Sequence, residues 1–413
     1  MQLTRVLLLA SLTLAGDAAA DARAVISELR SASMGQLRPL AFAQPAPARS
    51  DLAALSRFPV ASELAIDRVM SEAIARHDVP GAAVIVGRRD GVLLRKVYGF
   101  AQVEPMTRPL EMDAVFDLAS VTKAVATATS VALLVERGSL SYDDRVARFV
   151  PAFALPDKRE ITLRHLLTHT SGLPPVIPMQ AFAAGYDAAL HSIAAVRLGA
   201  APGERYVYSD LGFIVLARVI ERVAKQPVSA FASENLFAPL GLENTGFSLN
   251  SAARRRAVPT ERVAGVMLAG TVHDPRARAL GVTGHAGLFG TADELARFAR
   301  MLGNGGLLDG VRVLGRETVR QMTKDQMVSG ARVGLGWDLP DDTEHSTFSR
   351  QSFGHEGFTG TSLWIDPESD LFVVFLSSRL HPSGRGRAAP LAKEIRRIAR
   401  AALHALPRTE DRG

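Results

Sequence analysis

Between Asp117 and Glu136 the chain carries a single ionisable residue, Lys123. Small and apolar residues fill nearly every other position there, and a helix without a polar face has to be buried all round. Any fold for this sequence must therefore wrap residues 120–136 in protein and take an ammonium group inside with them. Burial of a lone ammonium favours the neutral amine. Ser120 and Lys123 stand three apart at the start of this helix, so hydroxyl and amine share one face. A neutral amine there can accept the serine proton, and the free N–H groups of a first helical turn favour an oxyanion. The competing reading is a lysine that snorkels to the surface beside an N-capping serine. Lysine is scarce elsewhere, with 6 among the 48 basic residues, the other 42 being arginine.

The flanks of this helix have a different periodicity. Residues 61–77 fit an amphipathic helix, and two apolar strands (82–86 and 92–100) are joined by the turn Asp90-Gly91. The middle of the chain holds helical segments, 211–224 among them, linked by loops rich in glycine and proline. Helices are also expected at 291–302 and 316–322. Strand patterns then occupy 333–339, 353–358, 362–366 and 371–377, and a basic helix spans 389–403. Both ends of the chain are thus expected to share one antiparallel sheet flanked by helices, with an all-helical insertion between them, an α+β architecture.

Three short segments carry a family likeness. Phe116-Asp117-Leu118-Ala119-Ser120-Val121-Thr122-Lys123 resembles the first motif of the serine β-lactamase and penicillin-binding protein superfamily. Tyr208-Ser209-Asp210 resembles its Tyr-x-Asn loop, and His355-Glu356-Gly357 its Lys-Thr-Gly element. Residues 166–172 and 334–337 are similar to the class C-like branch, and 284–287 to the low-molecular-mass penicillin-binding branch. The resemblance implies a β-lactamase/transpeptidase-like fold over residues 61–405, with an α/β part at about 61–118 and 285–405 and a helical part at about 119–284. It implies an acyl-enzyme formed on Ser120, with Lys123 as proton acceptor and Tyr208 relaying a proton to the leaving group. The N–H groups of Ser120 and Phe358 would form the oxyanion hole, and Asp210, His355 and Gly357 would contact substrate.

Two positions depart from the family pattern. Asp210 replaces an asparagine and, when ionised, accepts hydrogen bonds only. His355 replaces a lysine, and a nearby carboxylate such as Glu356 would raise its pKa. These changes favour peptidase or esterase work over β-lactam hydrolysis. The expected function is hydrolysis of peptidoglycan-type D-Ala peptides or related amides. The alternatives are a carboxylesterase or β-lactamase on small acyl substrates, and a non-catalytic peptidoglycan-binding or sensor module.

Other features set the surroundings. Residues 1–20 read as a secretory signal and 21–60 as a proline-bearing linker, so a periplasmic or secreted protein is expected. The chain has no cysteine, which excludes disulfides and thiol chemistry. No P-loop or dinucleotide fingerprint occurs, and no cofactor is expected. His165 and His169 have chelating spacing, but the zincin glutamate is missing, so no metal is expected. His273-Asp274 and His285 read equally as site wall or plain loop. Ser209 and Asp210 read as helix caps as well as motif residues. The arginines at 254–256, 385, 387, 396, 397 and 400 lack interleaved aromatics, which argues against nucleic acid and leaves cell-wall or membrane-surface association open.

Overall fold

The computed structural model describes residues 58–340 and 348–404. The expected signal and the linker as far as residue 57 lie outside the described residues.

Period-two patterning writes the central sheet. In β1 (Gly81–Arg88), Ala83 and Ile85 pack into one apolar cluster while Ala82, Val84 and Val86 pack into another. β2 (Gly91–Gln102) and β3 (Arg108–Pro109) follow, and β4 (Phe353–Gly357), β5 (Thr361–Asp366) and β6 (Leu371–Ser377) return near the C-terminus. β6 shows the same division, with Phe372, Val374 and Leu376 on one side and Leu371, Val373 and Phe375 on the other. The spatial order is β4-β5-β6-β1-β2-β3, antiparallel throughout, with Ile85 opposite Val374 at the join between the two ends of the chain. Both faces are apolar because both are covered.

On one face lie α1 (Val60–Ala75) and the C-terminal helix Ala389–His404, which contribute Ile66, Met70, Ile395 and Ala399. The other face meets the middle of the chain. There α2 (Thr129–Glu136), α3 (Asp210–Ala224) and α4 (Ala292–Gly303) share a cluster that includes Val131, Phe213 and Phe298.

Three local expectations change. Residues 333–339 do not form a strand. Gly334 N–H closes on the Trp337 carbonyl at 2.8 Å and Gly336 has φ 80°, so the apolar-glycine alternation there is a tight turn, with only single bridges at Val333 and Asp338. The insertion is not purely helical, since it holds the ribbon Pro259–Val263/Val266–Ala269. The lysine-bearing helix is wider than an α-helix over Lys123–Ala128, a π-helical stretch that precedes α2.

Candidate active site

Ser120 stands at a strained turn. Ala119, just before it, has φ 47°, a left-handed conformation that costs a non-glycine residue energy. The buried carboxylate of Asp117 holds this turn, accepting from Ala119 N–H at 2.9 Å and from His273 N–H at 2.7 Å. Thr122 Oγ donates back to the Ala119 carbonyl at 2.5 Å. Phe116 and Asp117 pair with Gly290 and Phe289, which brings the 284–290 segment alongside. From the sheet edge, Thr359 Oγ donates to the Asp117 carbonyl at 2.7 Å and Thr361 Oγ to the Leu118 carbonyl at 3.0 Å. A Cβ at Gly357 would overlap Thr361 Oγ and the Leu118 carbonyl, so only glycine allows β4 this close to the serine turn.

Lys123 is fully buried, as its surroundings in sequence demand, yet it is not alone. Its Nζ lies 2.8 Å from Ser120 Oγ, 2.9 Å from the His285 carbonyl oxygen and 2.8 Å from Asp210 Oδ1. Three acceptors match the three protons of an ammonium. Burial alone would lower the lysine pKa, but the Tyr208 and Asp210 oxygens outweigh it and the net direction is upward. The neutral amine expected from the sequence is therefore corrected: the resting group is an ammonium with its own counter-ion.

Tyr208 lies beside this pair, its ring centroid 5.1 Å from Lys123 Nζ. Burial raises its pKa further than Lys123 lowers it. The ring stacks on His169 at 4.5 Å. His169 Nδ1 accepts the Ser209 N–H at 3.0 Å, and His165 Nδ1 accepts the Thr162 N–H at 3.2 Å, so the two histidines order separate loops. The capping expectation also fails at this loop. Ser209 Oγ donates to the Pro174 carbonyl at 2.7 Å and makes no cap bond to α3, while the Asp210 carboxylate turns to cations.

His355 is buried on β4, its ring 6.3 Å from that of Tyr208. Nδ1 pairs with the Glu356 carbonyl at 2.9 Å. A carbonyl only accepts, so Nδ1 carries a proton. The carboxylate near this ring is Asp338, at 3.9 Å, and not Glu356, whose side chain pairs with Arg396 at 3.0 Å. Arg396 is itself buried, so this member of the basic cluster does not face solvent. Phe358 is 60% exposed, with the Arg379 guanidinium 4.2 Å from its ring centroid and His273 stacked at 5.8 Å.

One residue not singled out in the sequence, Arg276, completes the site. Arg276 Nη2 bridges Asp274 at 2.5 Å and Asp210 at 3.0 Å, and His285 Nε2 reaches Asp274 at 2.9 Å. With Lys123 bound to both Asp210 and the His285 carbonyl, the contacts close into a ring of five residues. Burial would raise the Asp210 pKa, but Lys123, His285 and Arg276 hold it down at about 2. Oxygen and nitrogen atoms of Asp210, Asp274 and His285 come within 4.8 Å of one another, a spacing compatible with a metal. Arg276 and Lys123 already meet the charge of both carboxylates. The 273–285 segment is thus site wall, and Gly284 is required where a Cβ would overlap the Phe213 carbonyl.

The β-lactamase family model matches residues 66–397, which spans the sheet, the serine turn and the ring of charges. The chain belongs to the β-lactamase family. It is a serine hydrolase of that family. A protein of Escherichia coli (strain K12) named "Putative D-alanyl-D-alanine carboxypeptidase" is 30% identical over 343 residues, covering 73% of this chain and 79% of its own. A penicillin-binding protein homologue from Caulobacter crescentus shares the fold with a TM-score of 0.70 and 22% identity, over 84% of this chain and 99% of its own. EstCE1, described as a hydrolase with promiscuous acyltransferase activity, shares it at 0.66 and 24%, over 84% of this chain and 100% of its own.

Proposed function

We propose that the protein is an exported hydrolase that forms an acyl-enzyme on Ser120 and acts on D-Ala peptides of the peptidoglycan type or related amides. The observation that carries this is the Lys123–Ser120 contact at 2.8 Å with the Tyr208 ring beside it, its centroid 5.1 Å from Lys123 Nζ. The lysine and the phenol titrate as one unit, and its form with one proton removed takes the Ser120 proton. Ser120 Oγ then bonds to the substrate carbonyl carbon, and the N–H groups of Ser120 and Phe358 receive the oxyanion. Collapse breaks the bond to the leaving amine, which takes its proton through Tyr208. Water, deprotonated by the same pair, releases the acid. The name of the relative from E. coli supports the peptide reading, and the signal-like residues 1–20 support export.

An ester-cleaving role is favoured by one observation: a histidine stands where the family's carboxylate-binding lysine would be. Intact-mass measurement after exposure to penicillin and to p-nitrophenyl acetate tests the acyl-enzyme directly. A single adduct is expected, lost in Ser120→Ala. Its absence with both reagents in folded protein would leave the binding-module reading in its place.

His355 carries a second expectation. With Nδ1 fixed by the Glu356 carbonyl, the ring presents Nε2, and His355→Ala should reduce turnover of a D-Ala-D-Ala peptide by about 10²-fold. Rates equal to those of the unaltered protein, with Ser120→Ala inactive, would remove His355 from the site.

A further inference from the structure

The ring of charges offers more than a rigid wall. Asp210 has two oxygens, one on Lys123 at 2.8 Å and the other on Arg276 at 3.0 Å. The family's asparagine would carry no charge at this place, so the aspartate adds a counter-ion that strengthens the grip of Lys123 on its protons. A lysine held too firmly as ammonium cannot serve Ser120. Arg276 opposes this, since it draws on the same carboxylate and adds a positive charge nearby. Asp274 in turn holds Arg276, accepting from its side chain and, at 2.9 Å, from its backbone N–H. Proline at 275 opens a short helix there, so Arg276 is placed by its own backbone as well as by its ion pairs.

We propose that Arg276 and Asp274 are positioning residues that set the proton affinity of the Lys123–Tyr208 pair through Asp210. The inference rests on the acyl-enzyme reading of Ser120. Its geometry is a chain of alternating charge, Lys123–Asp210–Arg276–Asp274, in which each member contacts the next. The other titratable groups facing the pair are His169 under the Tyr208 ring, His355 on β4 with Asp338 behind it, and His285 at the end of the chain. None of these lies between Arg276 and Asp210. Removal of the guanidinium charge leaves Asp210 to Lys123 alone and strengthens proton binding by the pair. Removal of the Asp274 charge leaves Arg276 unbalanced and weakens it. The two changes therefore act in opposite directions, an outcome that a purely structural role for this segment does not produce.

The test is the pH dependence of Ser120 acylation by p-nitrophenyl acetate, read as the burst rate, in the full chain and in Arg276→Gln, Arg276→Lys and Asp274→Asn. The acid limb is expected to move up by about one pH unit in Arg276→Gln and down by a similar amount in Asp274→Asn. Arg276→Lys, which keeps the charge, should lie nearer to the unaltered protein than Arg276→Gln does. Limbs that coincide, or that move in the same direction, in variants that still acylate Ser120 would overturn the proposal. Should either neutral variant fail to fold, the Arg276→Lys limb and the surviving variant must still separate in the stated direction. Absence of acylation in the unaltered protein would instead overturn the reading of Ser120 on which the inference rests.

Discussion

Lys123→Met is expected to slow acylation of Ser120 by about 10³-fold, the largest effect on rate of any conservative change outside the serine itself. Methionine fills most of the volume in a pocket with no exposure, so the change removes chemistry more than packing. Three contacts are lost together: the hydrogen bond to Ser120 Oγ, the tie to the His285 carbonyl and the pair with Asp210. Asp210 is not stranded, because Arg276 remains on its other oxygen. The usual penalty for an orphaned buried charge, about 3–5 kcal/mol, is therefore only partly incurred. Burst kinetics with an activated ester, beside a melting curve of the same sample, separates the two effects. A variant that acylates within about tenfold of the unaltered protein would show that Tyr208 alone serves as base.

The part of this site that could be read from sequence is the part that is local. Ser120 and Lys123 share a helical face, and the charge-free stretch around them announces burial before any contact is known. The strand 371–377 was legible because both sides of a covered sheet are apolar, which leaves a short unbroken run. Residues 333–339 misled for a related reason: glycines at alternate positions mimic a strand pattern while they serve a turn. The protonation of Lys123 was not legible at all. Its partners Asp210 and His285 are 87 and 162 residues away along the chain, and a lone lysine in an apolar stretch reads as neutral until its counter-ion is seen. Arg276 was invisible for the same reason, as one of 42 arginines. The sole local hint was Asp274-Pro275, a helix-start signature that fixes where the arginine must stand.

Acid should unfold this protein largely through His169. Burial, then the neighbouring Lys123 ammonium, holds its pKa down at about 3, against an ordinary value near 6.5. The geometry gives the reason in atoms. Nδ1 accepts the Ser209 N–H at 3.0 Å, and a proton placed on Nδ1 would face that N–H donor to donor. A group whose pKa is lower folded than unfolded gives stability that is complete above the unfolded value and declines as pH falls towards the folded one. The window here runs from about pH 6.5 down to about 3, and the whole difference amounts to about 4–5 kcal/mol, of which roughly 2–3 kcal/mol is lost by pH 4.5. His273 works the other way, since its bond to Asp117 raises its pKa against burial and it stabilises the fold at lower pH. Urea unfolding at pH 7.5 and pH 4.5 measures the balance, with His169→Gln as the control that does not titrate. The unaltered protein should lose about 2–3 kcal/mol more between the two pH values than the variant does. Equal losses would exclude His169 as the sensitive group. Any slope left in the variant has a candidate in His381, whose Nε2 accepts the Val103 N–H at 2.9 Å and whose pKa burial also lowers. The two histidines differ in place: His381 fastens the chain beyond β2, whereas His169 supports Tyr208, so only the His169 transition should remove catalysis together with structure.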